Sequence, residues 1–138
     1  MDESRSAIKI IYIAGKITGI ENISKEEFER VENIIIKKGH EAVNPHKIPG
    51  NEVEGEHWSY YMKKCIRRLM ICDKVIPLSN WDKSRGACVE LFLCKMLRIE
   101  IIDEKFKPMD LSLLSIFFTL GLNLLLEFKK EEKDDKEQ

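Results

Sequence analysis

Glu90 is the one carboxylate in the apolar run "ACVELFLCKML", residues 87–97. Its neighbours Cys88, Val89, Leu91, Phe92 and Leu93 all belong in a core, and an unpaired ionised acid there is costly to desolvate. Such a group either pairs with a positive charge or backbone donors, or it faces a cleft where partial burial tunes it for acid–base or nucleophilic work. Both readings stay open on the residues alone. Ser84 and Gly86 lie just upstream, and Trp81 stands in the same loop as a pocket wall or a subunit contact. A second stretch, "GKITG", holds Gly15, Lys16, Thr18 and Gly19. Two glycines let the backbone approach a ligand closely, and the lysine and hydroxyl suit a phosphate or a sugar. The loop is neither G-x-x-x-x-G-K-[ST] nor G-x-G-x-x-G, and without a ligand it is a tight turn.

These groups need elements to hold them. "IKIIYIA", Ile8 to Ala14, is a short β-branched run stopped by Gly15 and reads as a buried strand. Ser24 and Glu27 form an S-x-x-E capping box that opens a helix with Phe28, Val31, Ile34 and Ile35 on its apolar face. Gly39 closes that helix, and "EAVN" before Pro45 is a second strand. Trp58, Tyr61, Met62, Cys65, Ile66, Leu69 and Met70 repeat at helical spacing, with Trp58 and Tyr61 expected in the core. Lys63, Lys64, Arg67 and Arg68 form the solvated face of the same helix. "KVIPL" and "IEII" supply strands three and four, with the Glu90 helix between them. Strands alternating with helices predict an α/β fold. The expectation is a single three-layer Rossmann-like or flavodoxin-like domain with a four- or five-stranded, mainly parallel sheet. In such sheets ligands gather at the carboxyl ends of the strands, where both "GKITG" and the start of the Glu90 helix belong.

The bulk numbers fit one domain of 138 residues with 43% hydrophobic content. Lysine plus arginine number 23 against 24 acids, so no general pull toward nucleic acid or anionic lipid is expected. Cys65, Cys72, Cys88 and Cys94 lie in apolar segments without C-x-x-C spacing and read as reduced core residues of a cytoplasmic protein. The histidines at 40, 46 and 57 lack metal-ligand spacing. "MDESRSAIKI" does not have the form of a signal peptide. Residues 1–107 make the α/β domain, 108–128 an apolar packing or oligomerisation helix, and 129–138 a disordered charged tail. Two stripes mark that helix: Leu111, Leu114, Phe118, Leu122 and Leu125, and beside them Phe117, Leu120, Leu124 and Phe128. They predict two partners, the sheet and a second subunit. Its Ser112, Ser115, Thr119 and Asn123 make a membrane anchor the lesser reading.

"YIAGKITG", "GHEAVNP", "CDKVIPLSNWDKSRGACVE" and "RIEII", in that order, resemble the small phage and bacterial proteins of a nucleoside 2-deoxyribosyltransferase-like family. The resemblance spans about Ile8 to Ile102. It implies that Glu90, last in S-x-G-x-x-x-E with Ser84 and Gly86, is a nucleophile toward the anomeric carbon of a nucleoside or nucleoside 5′-monophosphate. It also implies that the Y-x-x-G-x-I-x-G loop, here Tyr12, Gly15, Ile17 and Gly19, wraps the sugar or phosphate, with Ser84 near the phosphate. Related enzymes are homo-oligomers, and no metal or organic cofactor is implied. One position departs: relatives carry an Asp on the second helix for the base proton, and this chain carries Cys65. The expected activity is an N-glycosidic-bond hydrolase or deoxyribosyltransferase. The alternatives are a nucleotide-binding or signal-sequestering protein without turnover and an oligomeric interaction module.

Overall fold

The computed structural model describes residues 7–17, 21–48 and 58–137. Strand β1 (Ile10–Ala14) lies inside a four-stranded sheet with β2 (Glu41–Val43), β3 (Lys74–Pro77) and β4 (Glu100–Ile101), in the order β2-β1-β3-β4. All three pairings are parallel. The α/β expectation therefore holds, with four strands. Residues Ile11 to Ala14 are completely buried, which is why the run is apolar on both alternations. Ile11 and Ile13 face helix α1 (Glu21–Lys37), joining Phe28, Val31 and Ile35. Tyr12 and Ala14 face the other layer, joining Cys65 and Leu69 of α2 (Trp58–Leu69) and Leu91 and Cys94 of α3 (Arg85–Leu97).

The chain leaves β1 through α1 toward β2, then crosses back through α2 to β3 on the opposite side. The strand order therefore reverses between β1 and β3, which opens a crevice above their carboxyl ends. Backbone bonds fix this junction. Asp73 secures the opposite end, where its Oδ2 accepts from Ile10 N at 2.8 Å and its own N–H donates to Ile10 O at 2.8 Å. At the crevice, Leu78 N donates to Ala14 O at 2.8 Å, and Lys16 N donates to Asn80 Oδ1 at 3.0 Å.

Three expectations change. Ser24 lies inside α1, not at its cap. It is fully buried, donates to Lys16 O at 2.6 Å and meets His46 Nε2 at 3.1 Å, so its hydroxyl ties the β1 loop to the turn after β2. Trp58 is 37% exposed and Tyr61 half-buried, and Trp58 packs on Arg85 at the start of α3. The last helix, α4 (Leu113–Glu137), continues through the charged segment expected to be a disordered tail. Gly39 does end α1, at φ 84°. The four cysteines are buried thiols.

Gly15 has a packing role. A Cβ there would lie 2.6 Å from Leu78 Cδ1 and 3.0 Å from Leu78 Cβ, so β1 and β3 converge too tightly for a side chain. Gly15→Ala is expected to destabilise the fold by about 1–3 kcal/mol, the usual cost of overpacking a tight site. Denaturant unfolding checks this, and the cost of Gly15→Ala should be smaller when it is measured in a Leu78→Ala background.

Candidate active site

A cleft of about 820 Å³ opens at the carboxyl ends of β1 and β3. Lys16 comes to it from the β1 loop, and Ser84, Arg85 and Gly86 from the start of α3. Trp58 closes one side, and α4 lies across the other through Leu122, Asn123 and Glu127. Ser84 caps α3, its Oγ accepting from Ala87 N at 3.1 Å, so its own hydroxyl proton is available to a ligand. Arg85 stacks on the Trp58 ring with its guanidinium carbon 3.7 Å from the centroid and pairs with Glu127 Oε2 at 2.8 Å. Asn123 Nδ2 donates to Asp82 O at 2.9 Å, a second tie between α4 and the loop before α3.

Glu90 does not line this cleft. It lies one helical turn beyond Gly86 on the same face of α3 and is only 4% exposed. Along α2 the sequence of burial is similar: Trp58 at the cleft, then Met62 packed against Gly86, then Cys65 in the core. Below that level Glu90, Tyr12 and Cys65 meet on β1. Glu90 Oε2 and the Tyr12 hydroxyl are both enclosed, and neither makes a well-formed hydrogen bond among the described residues. The two side chains are nevertheless close enough to act on each other. Burial pushes the Glu90 carboxyl up to about 8, and the Tyr12 hydroxyl only partly offsets this. Burial raises the Tyr12 phenol further above its usual value, reinforced by Glu90 and Cys65. Burial likewise pushes Cys94, beside Glu90, up to about 12. At neutral pH the acid is therefore mostly protonated.

The residues singled out in the sequence do not all meet in one place. Lys16, Ser84 and Gly86 line the cleft. Tyr12 and Glu90 form a buried pair beneath it, and Gly15 packs on Leu78. Trp81 packs against the core cluster under α3, and Thr18 and Gly19 lie outside the described residues. Sequence reasoning missed Arg85, Asp82, Asn123 and Glu127. Arg85 alone carried a signal, its place beside Ser84 at a helix start. The other three come together only when α4 folds back. Among the described residues no group of His, Cys, Asp or Glu is arranged to hold a metal. No helix among them is long and apolar enough to cross a membrane.

A family described as a domain of unknown function, DUF4406, matches residues 9–103, from the start of β1 past the end of β4. This chain belongs to that family. No curated protein matches it. Among solved structures, this DUF4406 chain is similar to a 2-deoxyribosyltransferase from the psychrotolerant bacterium Bacillus psychrosaccharolyticus. The TM-score is 0.57 at 18% identity, covering 77% of this chain and 79% of that one. It is also similar to a conserved protein from Enterococcus faecalis V583, with a TM-score of 0.54 at 13% identity, covering 70% of this chain and 63% of that one. At such identities the likeness is one of fold.

The raised Glu90 carboxyl makes stability depend on pH with a definite sign. A group held above its ordinary 4.5, at about 8, favours the folded state fully below pH 4.5 and loses that contribution as pH rises through 8. The slope is at most about 1.4 kcal/mol per pH unit. Glu90→Gln is therefore expected to match wild type near pH 4.5 and to be the more stable protein at pH 8. Denaturant titrations at the two pH values read the divergence.

Proposed function

We propose that this DUF4406 protein acts on the N-glycosidic bond of a nucleoside or nucleoside 5′-monophosphate, as a hydrolase or a deoxyribosyltransferase. The observation that carries this reading is the enclosed Glu90 carboxyl, with one oxygen unpartnered among the described residues, one turn below a cleft at the strand-order reversal. The fold likeness to a 2-deoxyribosyltransferase supports the substrate class.

In this reading a sugar that passes below the cleft to the depth of Glu90 is attacked at its anomeric carbon by the ionised carboxylate. The carbon–oxygen bond to the enzyme forms as the bond to the base nitrogen breaks, and the departing base takes a proton from water. Water, or a second base, then cleaves the glycosyl ester and restores the carboxylate. Lys16, Ser84 and Gly86 at the cleft hold the sugar and any 5′-phosphate, and Trp58 offers an aromatic wall. Because Glu90 sits at about 8, the nucleophilic form grows with pH, and kcat/KM should rise toward a plateau above that value.

A second reading, a nucleotide-binding protein without turnover, is favoured by Cys65. Cys65 is buried beside Tyr12 where the resembling enzymes carry a proton-transferring acid.

Glu90→Gln is expected to abolish release of free base while the fold survives, since an amide cannot form the ester. Chromatography across nucleosides and monophosphates checks this. Wild-type silence on every substrate, with binding intact, decides for the second reading. Lys16→Ala is expected to weaken monophosphate binding by about 1–3 kcal/mol and nucleoside binding little, the scale of one charge-assisted hydrogen bond. Calorimetry with both ligands separates the cases.

A further inference from the structure

Helix α4 packs on the α/β domain by one side only. Ile116 is its one fully buried residue among those described, and Asn123 and Glu127 reach the cleft wall from the same side. The opposite side carries Leu114, Phe118, Gly121, Leu125 and Phe128, at alternating spacings of four and three. That is the spacing of a helix–helix seam. All five face outward, the four large side chains between 51% and 78% exposed. Patches of this size on a folded surface mark interfaces.

We propose that this seam is where two copies of the chain pair, α4 against α4, antiparallel, about a two-fold axis at Gly121. The inference is independent of the catalytic reading. Three features fix the occupant as a second copy. The first is self-complementarity. A two-fold at Gly121 sets Leu114 against Phe128 of the partner subunit and brings Phe118 nearly level with the partner's Leu125, so apolar meets apolar throughout, as an isologous contact requires. Gly121 at the centre has open space where a Cβ would stand, and it lets the two backbones approach closely. The second feature is extent. From Leu114 to Phe128 the seam runs about 21 Å at the helical rise, and the next residue in its register is Glu132. Covering it removes on the order of 500 Å² of apolar surface per copy, about 1,000 Å² for the pair, the lower bound of a stable interface. The third is charge. The helix carries four lysines against six acidic residues, the wrong sign for an anionic lipid surface.

Sedimentation velocity on the full chain without detergent is expected to show a dimer at micromolar concentration. Phe118→Glu combined with Leu125→Glu places carboxylates in the seam and is expected to weaken dimerisation by about 100-fold or more. Its thermal melt, read alongside, reports whether the domain remains folded. The register has its own test. Gly121→Cys should cross-link to itself on oxidation. Leu114→Cys and Phe128→Cys should each fail alone and should cross-link when mixed. A folded wild-type monomer across the concentration range overturns the proposal, as does a dimer that survives the double variant or that Gly121→Cys does not link. Monomers that bind neutral or anionic vesicles overturn it in favour of a lipid surface.

Discussion

Strand β1 is buried on both faces, and its two-residue alternation decides what each face becomes. One face, Ile11 and Ile13, makes a purely apolar layer with α1. The other places Tyr12 where α2 and α3 converge. Because β1 is also the strand from which the chain departs in both directions, its carboxyl end is the place where no helix can cover the sheet. The cleft and the buried acid beneath it follow from the same strand. Closure of that region then depends on Leu78 nesting against Gly15 and on Asn80 holding the Lys16 amide.

The electrostatic arrangement is asymmetric. Asp73 is placed where two backbone bonds tie it to β1. Glu90 is placed among Tyr12, Cys65 and Cys94, where among the described residues no cation offsets its burial. Desolvation there works against the ionised form, so the fold bears a penalty at neutral pH that a glutamine in the same place would not. A protein whose stability is small against its opposing terms does not need this group for folding.

The strongly periodic or strongly apolar segments were legible in the sequence. β1 shows as a β-branched run ended by glycine, and α2 by its helical spacing. Depth was not legible, because periodicity marks a face and says nothing of how far that face extends beyond the sheet. Trp58 therefore looked like core and stands at the cleft. The S-x-x-E pattern at Ser24 also occurs inside helices, and only the closeness of Lys16 and His46 shows where that hydroxyl is used. The charged end of α4 read as a solvated tail, yet lysine and glutamate are strong helix formers and carry the helix to Glu137. Glu90 could be placed at a helix start after β3. Its meeting with Tyr12 could not, since strand alternation gives the side but not which helical turn lies above it.

The sulfur atoms of this protein have a consequence for how its interior can be observed. Cys72 and Cys94 are held near 12 and Cys88 near 11, each by burial. Thiolate is the reactive species, so at neutral pH only about one thiol in 10⁴ or fewer is in that form at these sites. Modification in the folded state is thus suppressed twice, by access and by ionisation. Alkylation must wait for the chain to open. Cys94 lies beside Glu90, Cys88 beneath Asn123 of α4, and Cys72 at the far end of the sheet next to Asp73. The fold thereby carries natural reporters of local opening, one near the buried acid, one under the last helix and one at the opposite edge.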